Sequence, residues 1–217
     1  MPEDPRTGER LRMVEYQIAA RGIRDPRVLA AMREVPRHIF IPAPYDSNAY
    51  EDSPLPIGNG QTISQPYIVA LMTELLHPAP GHNVLEIGTG SGYQAAVLSR
   101  IVKRVTTIER IAAVADLARR NLGALHIANV GVIVGDGTLG HPENAPYHGI
   151  IITAATPDVP GPLIEQLAEG GRLVAPTGGR DVQELLVLER HGTTITREYH
   201  GGVRFVPLIG EHGWPEG

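Results

Sequence analysis

The segment Val84-Leu85-Glu86-Ile87-Gly88-Thr89-Gly90-Ser91-Gly92-Tyr93 constrains the fold of this chain more than any other. An apolar strand runs directly into three glycines at alternate positions, and a helical pattern follows. That order lets a ligand approach the backbone closely at the carboxyl edge of a parallel sheet. The spacing is Gly-x-Gly-x-Gly, with Tyr93 where a dinucleotide fingerprint wants its third glycine, so an NAD site ranks second. Glu86 points the same way, because a carboxylate two residues before the first glycine would face a bound pyrophosphate with like charge. S-adenosyl-L-methionine carries a sulfonium and an ammonium group and no phosphate, which suits the acid. The plainer alternative makes Glu86 a strand-end residue that caps the next turn.

Downstream of Asn83 the pattern alternates short apolar strands with helices, as βαβ units do. Strands are expected near 83–87, 104–108, 131–135, 148–153 and 171–176, with helices near 92–102, 111–122 and 160–168. After Gly178 the stretches 184–189, 193–199 and 203–208 have no helical pattern between them, so the sheet is expected to end in antiparallel strands. Upstream, Leu11, Val14 and Ile18 follow an i, i+3, i+7 spacing, and Val28, Leu29 and Met32 follow the helix-start pair Asp25-Pro26. From Pro42 to Ser64 the chain is too rich in Pro and Gly for regular structure, and a loop of that length usually has a function. The expectation is one domain over 1–217, with residues 1–77 forming a helical cap and active-site loop and 78–217 a cofactor-binding α/β core. The fold class is a doubly wound, mostly parallel sheet.

Composition narrows the chemistry. The net charge is −5, which leaves no dense basic surface for a nucleic-acid backbone. Cys is absent, which removes disulfides, thiolate zinc sites and cysteine nucleophiles together. Lys103 is the only lysine and sits in a polar turn, so Schiff-base chemistry has one unpromising carrier. The nine histidines are scattered without the i, i+4 spacing of a metal site, and no metal is expected. No apolar run approaches the ~18 residues of a membrane span. A cytoplasmic location and a monomeric state are the default expectations.

Two further acids end successive strands. Glu109 lies 109 minus 86, or 23, residues after Glu86, where an acid can accept from both ribose hydroxyls. Arg110 beside it could shield one edge of an adenine. Asp136, followed by Gly137, could accept from the adenine amino group, although Asp-Gly taken singly is more often a turn. Ser64 precedes Gln65-Pro66 and an apolar run, where a serine would cap a helix that proline starts.

These residues, together with Arg37-His38-Ile39-Phe40-Ile41-Pro42, the stretch from Pro54 to Pro66, and Val203-Arg204-Phe205-Val206-Pro207-Leu208, resemble the protein-L-isoaspartate O-methyltransferase family from about Met13 to Leu208. The resemblance implies the S-adenosyl-L-methionine-dependent methyltransferase (Rossmann-like) fold, with an N-terminal helical cap. It also implies transfer of a methyl group to the free α-carboxylate of isoaspartyl residues in damaged proteins and peptides, with S-adenosyl-L-homocysteine as product. Carried onto this chain, the active-site serine is Ser64, and the cofactor contacts are Gln61, Thr62, Ile63, Glu86, Gly88, Thr89, Gly90, Gly92, Glu109, Arg110, Asp136 and Gly137. Acceptor contacts are Ser64, Arg204 and Val206, against the plainer reading of a buried strand with Arg204 solvated beside it. His148 departs from the family pattern, which often has an acid there.

The chemistry asks little of the protein. An isoaspartyl α-carboxylate ionises near pH ~3.5 and reaches the site as an anion, so no general base is needed. Placement against the methyl group and exclusion of water are what the site must supply. An esterase-like arrangement is neither present nor required. Two other readings share the cofactor residues: a methyltransferase that esterifies normal aspartate in a dedicated precursor, and a non-catalytic cofactor sensor.

Overall fold

The computed structural model describes residues 4–216, so residues 1–3 and 217 of the expected domain lie outside the described residues. Helix α1 (Thr7–Arg12) runs into a π-helical turn over Met13–Ile18, burying Met13, Val14 and Ile18. Helix α2 (Pro26–Glu34) starts where Asp25-Pro26 signals it: the Asp25 side chain accepts from the Arg27 N–H at 2.8 Å.

The stretch 42–64 is more ordered than its Pro and Gly content suggests. A short 3₁₀ segment, Ala43–Asn48, leads to an antiparallel hairpin of β1 (Leu55–Gly58) and β2 (Gln61–Ile63). Gly58, Asn59 and Gly60 all take positive φ, which turns the chain back, while Leu55, Ile57 and Ile63 are buried. Pro54 and Pro56 mask this alternation in the sequence.

Helix α3 (Pro66–Leu75) leads to β3 (Asn83–Ile87), α4 (Tyr93–Ser99), β4 (Arg104–Glu109), α5 (Ala112–Ala124), β5 (Val130–Val134), β6 (Tyr147–Ile152), α6 (Gly161–Glu165), β7 (Leu167–Gly178), β8 (Gln183–His191) and β9 (Thr194–Val203). The large sheet has the order β5-β4-β3-β6-β7-β8-β9. Pairs from β5 through β7 are parallel, and β7-β8 and β8-β9 are antiparallel. The order reverses between β3 and β6, and the crevice beyond the carboxyl ends of strands at such a point is where open α/β sheets bind ligands.

The sheet is covered on both faces, as a parallel sheet must be. Val84, Ile151, Val174, Leu185 and Val187 share one core with Met13, Ile18, Met32 and Phe40. Leu85, Ile87, Ile150, Ile152, Leu173, Leu186 and Leu188 form the other with Leu163 of α6. Truncating one of these, such as Leu85 at 0% exposure, removes about 2–5 kcal/mol.

Two expectations are corrected here. The helix near 160–168 ends at Glu165, because Leu167 already pairs with Tyr147 across the sheet. The stretch 203–208 is not a continuous strand. β9 ends at Val203, and the chain then crosses the carboxyl ends of the strands, where the Ala155 N–H donates to the Val206 carbonyl and the Leu208 N–H donates to the Ala155 carbonyl, each at 2.7 Å.

Candidate active site

Two cavities meet at the switch point. The first, of about 280 Å³, is floored by the glycine loop after β3, the ends of β4 and β6, and the crossing chain from Val206 to Ile209. Its roof is the hairpin and the residues after it, Gly60 through Ser64. The second, of about 760 Å³, lies between Pro54, Gln65 and Ile68 on one side and Val182 and Gly202 through Phe205 on the other. Thr62, Ser64, Thr153 and Val206 line both, so they mark the junction.

The floor of the first cavity is set by backbone conformation. Gly88, Gly90 and Gly92 have φ of 95°, 54° and 89°. At Gly88 a Cβ would stand 2.6 Å from Thr153 Oγ1, and that hydroxyl donates to the Gly88 carbonyl at 2.5 Å and to the Ile87 carbonyl at 3.0 Å. The loop is therefore tied to the end of β6 and has no room for a side chain at its first turn.

Electrostatics in this cavity favour a cation. Glu86 is fully buried, and neither carboxylate oxygen has a hydrogen-bond partner. Burial pushes its pKa up to about 8, the Thr107 hydroxyl opposes this, and Glu109 pushes the same way. Thr107 nonetheless shares its hydroxyl with Thr89 at 2.7 Å, which leaves Glu86 unpaired. An orphaned buried carboxylate costs free energy that a cationic ligand would relieve. Glu109 accepts from the Gly90 N–H and the Ile111 N–H, both at 3.0 Å, one on each oxygen. Each oxygen keeps one lone pair for a hydroxyl donor. Arg110 also lines the cavity, but its guanidinium pairs with Glu216.

Asp136 does different work. Its oxygens accept from the Thr138 N–H at 2.8 Å, the Thr138 hydroxyl at 2.7 Å and the Glu211 N–H at 2.7 Å. Burial pulls its carboxyl up, but those bonds more than offset this and hold it below the usual carboxylate range. It anchors the chain after Ile209 to the end of β5, while Gly137 next to it reaches the cavity.

Ser64 is not the cap of α3. Gln65 occupies the N-cap position without a side-chain bond, and Pro66 starts the helix. The Tyr67 N–H is taken instead by Asp52 Oδ1 at 2.9 Å, from the preceding loop. Asp52 also pairs with Arg21, whose guanidinium lies 3.5 Å from the Tyr67 ring centroid. With the helix end satisfied from elsewhere, Ser64 stands at the junction of the cavities.

The protein-L-isoaspartate(D-aspartate) O-methyltransferase family matches residues 9–213. The chain belongs to this family. It is 67% identical over 210 residues to the protein-L-isoaspartate O-methyltransferase of Methanoregula boonei, covering 97% of each chain. Among solved structures it resembles a protein-L-isoaspartate O-methyltransferase with a TM-score of 0.85 and 32% identity, over 94% of this chain and 67% of that one. A Plasmodium falciparum structure described by the same activity, in complex with S-adenosyl-L-homocysteine, gives a TM-score of 0.80 at 25% identity, over 92% of this chain and 98% of that one.

Of the cofactor positions that family membership suggests, Gln61, Thr62, Ile63, Glu86, Gly88, Thr89, Gly90, Glu109, Arg110 and Gly137 line the first cavity, and Gly92, packed against Ala118 and Leu122, and Asp136 do not. Ser64 and Val206 line both cavities, and Arg204 lines the second. Sequence reasoning missed Thr153, the residue that follows β6 at the edge where Glu109 and Asp136 were found, and Asp52, whose partner is 15 residues away and has no sequence signal.

Proposed function

We propose that this protein transfers a methyl group from S-adenosyl-L-methionine to the free α-carboxylate of L-isoaspartyl residues in damaged proteins and peptides. Membership of the family across residues 9–213 carries the reading. The site supports it: a glycine-floored cavity with an unpaired buried carboxylate opens, through Ser64, onto a second and roomier cavity. A cationic, phosphate-free ligand fits the first. Glu86 would hold an ammonium, Glu109 would accept from ribose hydroxyls, and the Gly88–Gly90 backbone would lie against the methionine end. When bound, the donor supplies a methyl group made electrophilic by its sulfonium.

The chain's own residues then orient and shield. The acceptor carboxylate is already ionised, so no side chain has to remove a proton. The Ser64 hydroxyl donates to the carboxylate and holds one oxygen toward the first cavity, from a position fixed by β2 and α3. A carbon–oxygen bond to the methyl group forms as the sulfur–carbon bond breaks, giving the methyl ester and S-adenosyl-L-homocysteine. The hairpin roof excludes competing water. Arg204 and Val206 form the far wall of the acceptor groove, and Gln61, Thr62 and Ile63 the near roof of the cofactor cleft.

The protein acts as one domain spanning 1–217, a reading supported by the core that joins the N-terminal helices to one face of the sheet. We read the protein as a monomer in the cytoplasm. No helix among the described residues is long and apolar enough to cross a membrane. Methyl transfer to one short peptide, made in isoaspartyl and aspartyl forms, tests donor, acceptor and selectivity together. The isoaspartyl form is methylated and its twin is not; equal methylation of both would defeat the repair reading.

A further inference from the structure

We infer that Gln183 is a positioning residue that builds the far wall of the acceptor groove, acting through backbone that it clasps rather than by touching substrate. The inference rests on reading the second cavity as that groove. Gln183 opens β8 and is 1% exposed. Its side chain makes three bonds that tie the turn before β8 to the chain leaving β9. Nε2 donates to the Gly179 carbonyl at 2.6 Å and to the Arg180 carbonyl at 3.2 Å, while Oε1 accepts from the Phe205 N–H at 2.9 Å.

The position of these bonds gives them a purpose. The ladder between β8 and β9 ends at the Gln183–Val203 pair, so Phe205 has no strand partner. A partly buried N–H left unpaired is unfavourable, and the chain would swing to solvent to satisfy it. The Gln183 amide takes the place of the missing strand. It holds the chain as it leaves the sheet and crosses toward the junction, and it ties the turn carrying Val182 to the same point. Val182 and Gly202 through Val206 all line the second cavity. Beside the ladder pair, among the described residues, a further and exposed bond runs from Arg204 Nε to the Asp181 carbonyl at 3.0 Å.

The next residues are held differently. Val206 and Leu208 bond to the backbone of Ala155, independently of Gln183. Loss of the clasp should therefore loosen the acceptor wall and leave the cofactor cavity standing. An apolar isostere would abolish all three bonds, and a carboxylate would keep the acceptor for Phe205 and lose both donors.

The test compares Q183M, Q183E and a groove-blocking control, V182W, in the full-length protein. Three quantities are read: KM and kcat for an isoaspartyl peptide, the Kd for S-adenosyl-L-homocysteine by calorimetry, and the melting temperature. For Q183M the peptide KM rises about tenfold or more while the Kd for S-adenosyl-L-homocysteine stays within about twofold, and Q183E falls between it and the parent. An unchanged peptide KM in folded Q183M, or KM and Kd rising together, overturns the inference. Failure of both variants to fold also overturns it, by assigning Gln183 to the fold alone. V182W separates the two readings: if it leaves KM unchanged, the second cavity is not the acceptor groove, whereas if it raises KM and Q183M does not, only the role of Gln183 falls.

Discussion

The two cavities sit side by side but are built from different materials. The first is a continuation of the parallel sheet: Gly88 donates its N–H to the Ile108 carbonyl, Thr153 donates to the Ile87 carbonyl, and the ladder hands the strands directly to the ligand edge. Much of the second is assembled where regular pairing ends, from Pro54, Val182 and Arg204 through Val206, next to segments held by side chains such as Asp52. A wall made of backbone geometry tolerates almost no change where it bends. A wall made of clasps should give way by degrees, one bond at a time.

Gly88→Val is the severest test of the first half of that contrast. The new Cβ meets Thr153 Oγ1 at 2.6 Å, and φ at 95° is disfavoured for any branched residue. We expect S-adenosyl-L-homocysteine binding to be lost in calorimetry and about 2–4 kcal/mol of stability with it, from steric overlap and backbone strain. A variant that bound normally would show the loop to be pliant and erase the distinction.

Glu86→Gln comes next, and its effect depends on pH. In the ligand-free fold the carboxyl is pushed up to about 8, against 4.5 for an ordinary glutamic acid. Between those values the folded protein holds a proton that the unfolded chain releases. The stability from this group is complete below pH 4.5 and is lost as pH rises through 8. Glutamine has no such charge to bury, so the variant should melt with the parent near pH 4.5 and above it at pH 8, by roughly 4–5 kcal/mol given ~1.4 kcal/mol per pH unit. Its affinity for S-adenosyl-L-homocysteine should fall, because the ammonium loses its partner, and should no longer rise with pH between 6 and 8. Parallel melting curves across pH would mean that Glu86 is ionised and paired.

What could be read from the sequence follows the same division. Strand periodicity, the glycine spacing and the acids at strand ends belong to the first cavity, and each depends on residues close together in the chain: Glu86 with Gly88, Glu109 with Ile111. The second cavity depends on partners far apart. Asp52 caps a helix 15 residues on, and the roof of the first cavity shares the difficulty, because the hairpin of Leu55, Ile57 and Ile63 hides behind two prolines. The departure of the chain from β9 after Val203 carries no local signal either, since Val203-Arg204-Phe205-Val206 reads as a good strand. Propensity cannot report that its neighbour in the sheet has ended. Ser64 shows the limit most plainly, because local rules assign it to capping and only the distant carboxylate of Asp52 releases it.

Ser64→Ala probes the junction, where the two kinds of construction meet. The hydroxyl lies between cavities, with α3 capped by Asp52, so its removal should leave the fold within about 0.5 kcal/mol of the parent. A single well-placed donor to a charged group is worth about 1.5–3 kcal/mol, or one to two orders of magnitude in kcat/KM for an isoaspartyl peptide. The split between constants is informative. A donor that orients the acceptor equally in ground and transition states would raise KM alone, whereas one that strengthens as the oxygen aligns with the methyl group lowers kcat. We expect the loss mainly in kcat, because the groove has other contacts to hold a peptide but Ser64 stands where the two cavities join. Unchanged turnover together with unchanged S-adenosyl-L-homocysteine affinity would remove Ser64 from the reaction, and a large fall in melting temperature would return it to the role of a structural cap.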